Sequence, residues 1–333
     1  MPKLKAKCQT KSDLYISEYP EIQRMIDLQR DTFWPPKEPD VEKDVQQIRV
    51  EMTEAERHGV ITQLKTFTLR ELIVGNEYWG GRYKRMFPRK DFEEAGSLFS
   101  AFEVAIHAVF YNRINQVLGL DTPEFHASYK EHPDMVKSMA VLDEACVDKS
   151  DLYSIGAFSM VEGAILYSSF AFLMHFQLNG KNFIPNIVSG IRFSARDEKI
   201  HADTGALSYN ILKKESLEEG VFDKNYVEDI EAKLIALAET ILIHEKAMIA
   251  MTFQKGPIDG ITPKQLENFV KHRLDMCLKN LGIKPIYNVT YNPLAKPFYE
   301  AVGADAKVDV FNTISASYTH SWKENNFIYD AAA

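Results

Sequence analysis

The sequence predicts an all-α protein, a bundle of long helices with extra helices around its core. Three observations predict it. A proline inside a helix costs about 3 kcal/mol, and none falls between Pro39 and Pro88, Pro88 and Pro123, Pro133 and Pro185, or Pro185 and Pro257. Within those intervals apolar residues recur at three- and four-residue steps, the period of a helix rather than of a strand. Nothing organises a sheet, since the β-rich stretch IYNVTY around Tyr287 is too short for more than a small extended segment.

Taken in order, residues 1–19 are polar or mixed and read as a mobile N-terminal segment. A single domain over residues 20–310 follows. After Gly59, the positions Val60, Leu64, Phe67, Leu69, Leu72 and Ile73 share a helical stripe. The same spacing gives helices over 92–118, 133–147, 152–178, 187–212, 226–253 and 263–281. Asp91 stands where the first of these should start, and Ser150 with Asp151 precedes the third. Thr262-Pro263 opens the last, which Gly282 closes. Residues 311–333 read as a flexible C-terminal tail, and no fixed-period repeat or Gly/Ser linker divides the chain.

Composition removes several functions. Of 333 residues, 39 are Lys or Arg and 47 are Asp or Glu, and a net charge of -8 offers no footprint for nucleic acid. Cys8, Cys146 and Cys277 are too few and too scattered for a disulfide framework or a thiolate zinc site. A reducing, cytoplasmic setting is expected. No basic-then-apolar leader and no uninterrupted apolar run of about 18 residues appears, so neither a signal peptide nor a membrane span is expected.

Chemistry enters with charged residues in apolar helices. Glu198 and His201 in ARDEKIHAD lie three apart, on one helical face. Alone such a pair is weak: Glu54 and His58 in TEAERHG are similarly spaced but sit in a charged stretch that reads as a solvated helix end. Glu103 and His107 differ in setting, among Phe99, Phe102, Val104, Ile106, Val109 and Phe110. A carboxylate buried there must be paired or bound to a metal. Glu162 in FSMVEGAILYSSF and Glu71 in LKTFTLRELIVGN are likewise isolated acids on apolar helices, Arg70 reading as an exposed neighbour of Glu71. Four acids and two histidines on four helices match the arrangement of ferritin-like di-metal carboxylate bundles. Four carboxylates balance two divalent ions, and the neutral imidazoles leave positions open for oxygen.

With these residues in place, the chain from 34 to 318 resembles the small, radical-generating subunit of class I ribonucleotide reductase. The similarity runs through FWPPKEPDVEKD around Trp34, TLREL with Glu71, the helix of His107 and Tyr111, VEGAILYSSF with Glu162, ARDEKIH with Asp197, Glu198 and His201, NPL near Pro293, and VFNTISASY ending at Tyr318. The resemblance implies a ferritin-like fold and two metal ions per chain, iron first, with manganese or a mixed manganese/iron pair as alternatives. Their ligands would be Glu71, Glu103, His107, Glu162, Glu198 and His201. It further implies a tyrosyl radical on Tyr111, walled by Leu166 and Phe170, and an exit through Trp34, Asp197 and His107 to Tyr318. The implied partners are a second copy of the chain, as a homodimer, and a large subunit docked by the tail through Phe327, Ile328 and Tyr329.

Two positions depart from the family's pattern. Its first pair is Glu-x-x-His, whereas Val104 stands three before His107 here and Glu103 four before. On a regular helix Glu103 and His107 still lie within about 40° of each other, and a one-residue π-bulge would adjust the aim. Glu71 occupies a position where aspartate is commoner, with the longer arm shared by some manganese-using members. A stand-alone di-metal oxidase acting on an apolar ligand would use the same metal residues but needs neither Trp34 nor Tyr318. An iron-storage shell would be shorter.

Overall fold

The computed structural model describes residues 5–148, 150–178 and 180–312, the side chains of 304–312 excepted. Helices α1 (Pro20–Asp31) and α2 (Glu54–Ile73) come first, and α2 runs on through a π-helical segment, Val74–Tyr83. Helix α3 (Lys90–Phe102) continues through a π turn, Glu103–His107, into α4 (Ala108–Leu118). After α5 (Pro133–Val147), α6 (Asp151–Met160) passes through a third π segment, Val161–Ile165, into α7 (Tyr167–Met174). Then come α8 (Pro185–Glu218), α9 (Lys224–Thr252), α10 (Pro263–Asn280) and α11 (Ala295–Asn312). Among the described residues there is no strand.

The helices start and stop for local reasons. Thr53 and Glu56 close a capping box at α2, Thr262 and Gln265 another at α10, and Ser150 and Asp223 cap α6 and α9; each such cap is worth about 1 kcal/mol. Gly282, at φ 78°, ends α10 in the left-handed region that a side chain would resist. Asp91 does not cap α3, whose first residue is Lys90. Its carboxylate instead accepts the backbone N–H groups of Glu18 (2.7 Å) and Tyr19 (3.0 Å).

That contact belongs to a wider correction. Residues 5–10 of the segment expected to be mobile are docked, with Ala6 and Cys8 fully buried. Glu215 on α8 accepts from Cys8 N (2.6 Å) and from the Tyr19 hydroxyl (2.9 Å), and Arg89 donates to Lys7 O (3.1 Å). Hydrogen bonds to distant acids hold this arm, so apolar periodicity could not reveal it. The stretch IYNVTY forms no strand; Ile286, Tyr287 and Asn288 turn their N–H groups onto the Asp275 carboxylate.

Helix α8 packs on α1, α6, α7 and α10, while α9 lies against α2, α5, α6 and α10. Large rings fill the interior, among them Trp34, Trp79, Tyr83, Phe99, Phe110 and Tyr111. Each contributes about 1.5–3 kcal/mol on leaving water. The helical stretch 151–177 is apolar enough by length and composition to cross a membrane, with an 18-residue window of mean hydropathy 1.5, which the sequence reading did not expect; that window is buried inside the bundle.

Candidate metal centre

Four helical rods converge where the π segments lie. Glu71 projects from α2 just before its π segment, Glu103 and His107 bound the second π turn, Glu162 lies inside the third, and Glu198 and His201 come from α8. All six side chains are buried. A π turn inserts a residue and re-aims the side chains that flank it, and at Glu103–His107 it takes up the extra residue that separates this pair from Glu-x-x-His.

Two groups of potential ligands result, Glu71, Glu103, His107 and Glu198 on one side and Glu103, Glu162, Glu198 and His201 on the other. Within each group one donor atom per residue lies within 4.8 Å of all the others. Glu103 and Glu198 belong to both. Glu103 turns Oε2 to His107 Nδ1 (3.0 Å) and Oε1 to His201 Nδ1 (2.5 Å). Glu198 divides itself the same way, Oε1 to His107 Nδ1 (3.2 Å) and Oε2 to His201 Nδ1 (3.7 Å). Glu71 Oε2 stands 3.6 Å from His107 Nδ1.

The charges in this cluster answer one another. Burial, with the Glu103 carboxylate beside it, pushes Glu71 well above the usual carboxylate range, and burial with Glu198 and Glu103 does the same to Glu162. Burial also acts to raise Glu103, but His107 and His201 outweigh it and hold that carboxyl well below its ordinary value. Burial works against a charged His201, yet Glu103 and Glu198 bring it up to about 9. Glu71 Oε1 and His201 Nε2 nevertheless lie buried without a hydrogen-bond partner, and Glu103 Oε1, His201 Nδ1 and both Glu198 oxygens meet only other members of the cluster, in contacts that lack hydrogen-bond geometry. An orphaned buried polar group costs about 1–3 kcal/mol, and here the orphans converge. Oxygen and imidazole donors of this number and charge fit two divalent ions.

Around the cluster the remaining expected residues fall into two sets. The Trp34 indole N–H donates to Asp197 Oδ2 (2.8 Å), and the same oxygen meets His107 Nε2 at 3.1 Å, so three buried groups form an unbroken link from the cluster outward. Tyr111 is fully buried. Its hydroxyl lies 2.6 Å from Ser194 Oγ, with Phe67 edge-on at 4.7 Å and Phe110 at 5.2 Å. Phe67 is thus the ring against Tyr111, and Phe170 stands behind it at 6.1 Å from Phe67. Tyr318, Phe327, Ile328 and Tyr329 lie outside the described residues.

Three neighbours escape the sequence reading. Trp79 donates its indole N–H to Glu162 Oε1 (2.6 Å), fixing that carboxylate; its position two helical turns after Glu71 is the signal that could have found it. Ser194, four residues before Glu198, shares that residue's face. Arg70, read as exposed, is buried and donates to Ser138 Oγ (2.8 Å), its charge facing buried Glu245. Glu54 and His58 stay apart from the cluster, with Glu54 exposed and paired to Lys255.

Fold and cluster together define a class, the ferritin-like di-metal carboxylate proteins. Comparison with known proteins narrows it. Residues 11–293 match the family described as ribonucleotide reductase, small chain, and the chain belongs to that family. It is similar to the ribonucleoside-diphosphate reductase subunit beta of Chlamydia pneumoniae, 26% identical over 271 residues covering 77% of this chain and 75% of that protein. The ribonucleoside-diphosphate reductase small chain of Variola virus is 24% identical over 327 residues, 94% of each. Among solved structures, the dimanganese(II) NrdF of Streptococcus sanguinis superposes with a TM-score of 0.75 at 17% identity, covering 88% of this chain and 99% of that one. The R2 subunit of Clostridium botulinum gives 0.71 at 18% identity, over 85% and 89%. The enzyme is therefore a ribonucleoside-diphosphate reductase, an oxidoreductase to which this chain supplies the small subunit and another chain the large one. A stand-alone oxidase is not favoured.

Proposed function

We propose that this subunit holds two metal ions, iron or manganese or one of each, and stores a tyrosyl radical on Tyr111 that its large subunit uses to reduce ribonucleotides. The observation that carries the reading is the pair of shared carboxylates, Glu103 and Glu198, each offering one oxygen to either histidine, with Tyr111 buried one turn beyond His107. Glu71 and His107 would complete one metal site, Glu162 and His201 the other. Bound there, the ions would supply the one-electron oxidant for Tyr111. The rest falls to the protein. Phe67 and Phe110 exclude water from the phenol, Trp79 holds Glu162, and Asp197 binds both the Trp34 indole and His107, giving an electron and a proton a hydrogen-bonded way out. Tyr318 is the relay to the large subunit, and Phe327, Ile328 and Tyr329 are its docking anchor.

The chain works as a homodimer in the cytoplasm. Support for the dimer comes from Ala101, Ala105 and Val109, which repeat every four residues along α3, the π turn and α4 and are all exposed. Anaerobic loading with Fe(II) or Mn(II), then oxygen, tests the reading by EPR. A radical signal lost in Tyr111→Phe, and nucleoside-diphosphate reduction on adding a class I large subunit, are the expected results. A radical that persists in Tyr111→Phe overturns the assignment.

A further inference from the structure

The Tyr111 pocket contains one feature that an insulating wall does not require. Ser194 is fully buried on α8, and its hydroxyl meets the Tyr111 hydroxyl at 2.6 Å among the rings of Phe67 and Phe110. A helix gains nothing from a serine at such a place: alanine has the better propensity, and a buried hydroxyl must find a partner. The phenol meets that need, at the separation of a well-formed O–H···O bond. Ser194 is four residues from Glu198 and so faces the site.

We infer that Ser194 is a positioning residue for the Tyr111 radical, its hydroxyl staying bonded to the Tyr111 oxygen in both redox states by exchanging the role of acceptor for that of donor. The inference rests on the proposed function above. Oxidation takes one electron and the phenolic hydrogen, as a proton, from Tyr111. The ions, once bound and oxidised, would take the electron, and a carboxylate of the site would take the proton. Ser194 ends with the single hydrogen it began with. The reduced phenol can donate to Ser194 Oγ; the phenoxyl oxygen, having no hydrogen, can only accept. A hydroxyl carries one donor and two acceptor lone pairs on a rotor, so it serves both states without moving its heavy atom. A carboxylate could only accept and a backbone N–H could only donate. The ring is thereby held at one angle and one distance before and after the reaction.

The test is the EPR and deuterium ENDOR spectrum of the radical, made in H2O and in D2O, for the wild type, Ser194→Ala and Ser194→Thr. The wild-type radical is expected to show one exchangeable deuteron coupling at the phenoxyl oxygen. Ser194→Ala should lose it, with a larger gx component, and Ser194→Thr, which keeps the hydroxyl, should retain it. Metals per chain and the thermal midpoint of Ser194→Ala report whether the bundle and its metals are intact. The equilibrium between oxidised and reduced Tyr111 should shift about two- to tenfold in Ser194→Ala, the range that one hydrogen bond spans. A Tyr111 radical without exchangeable coupling in the wild type, or with the same coupling in Ser194→Ala, overturns the inference and leaves the proposed function standing. A wild type that forms no radical, or one that survives Tyr111→Phe, overturns both. If Ser194→Ala does not fold, the wild-type and Ser194→Thr spectra still decide.

Discussion

Glu103 sits one residue away from where a Glu-x-x-His pair would place it, and its two oxygens nonetheless reach both histidines. Removing it takes a donor from each group at once. Glu103→Ala is expected to drop the chain from two bound metals to fewer than one, counted by elemental analysis after gel filtration; two metals retained would rule out its ligand role. At a distance from the cluster, His175 carries a different liability. Burial depresses it from 6.5 to about 4. The unfolded chain takes up that proton as the pH falls below 6.5 while the folded chain resists it, so the stability is complete above 6.5 and is lost as the pH falls through about 4. The difference amounts to about 3 kcal/mol. Urea unfolding at pH 7.5 and at pH 4 should therefore show the advantage of the wild type over His175→Asn shrinking by that amount. At this scale the sequence is eloquent about ligands, because an acid alone in an apolar helix is too costly to bury unless a cation or a metal answers it. It places Trp79 and Ser194 on the faces of Glu71 and Glu198 but does not tell them from ordinary core and ordinary helix until their partners on other helices are seen.

Two helices were legible almost to the residue, since proline spacing and capping chemistry are local: the stretches over 133–147 and 263–281 correspond to α5 and α10 within a residue at each end, whereas α8 runs six residues past the 212 at which spacing ended it. The π segments were not, apart from the one that the Glu103 spacing called for, because a single inserted residue barely alters an apolar stripe. A π turn leaves backbone carbonyls in need of partners, and one of them is met by a side chain. Arg273 on α10 donates Nε–H to Gly163 O (2.9 Å) within the segment that bears Glu162, and its guanidinium lies 3.7 Å from the centre of the Tyr167 ring. A charge-assisted hydrogen bond and a buried cation–π contact together make Arg273→Ala a loss of about 3 kcal/mol. Its thermal midpoint should fall, and metal occupancy at the Glu162 side should fall with it. An unchanged midpoint would mean that the π segment supports itself. Helices α1 and α11 fall outside the intervals that spacing assigned. The docked N-terminal arm was missed because Asp91 and Glu215 hold it from far along the chain.

For the molecule as a whole, the family implies a large-subunit partner, and the surface offers a way to test the proposed homodimer. Ala101, Ala105 and Val109 form a stripe of small apolar side chains on the outside of the rod that carries Glu103 and His107. A charge in the middle of a packed helix interface costs several kcal/mol, so, if the proposed dimer packs through this stripe, Ala105→Glu converts it to monomer in sedimentation velocity, with the helical circular dichroism unchanged. A dimer that persists would place the interface elsewhere. The chain has three tryptophans, and two of them reach the cluster or its edge: Trp79 donates to Glu162, and Trp34 to Asp197, which in turn meets His107. The protein thus carries its own optical probe. A carboxylate that changes charge or position as ions enter alters the surroundings of an indole directly, and paramagnetic Mn(II) should quench both. Tryptophan emission is expected to fall in step with metal added and to level off at two equivalents. Replacing both Trp79 and Trp322 by Phe leaves Trp34 as the single reporter, so the filling of the site can be followed from the Asp197 side without any label.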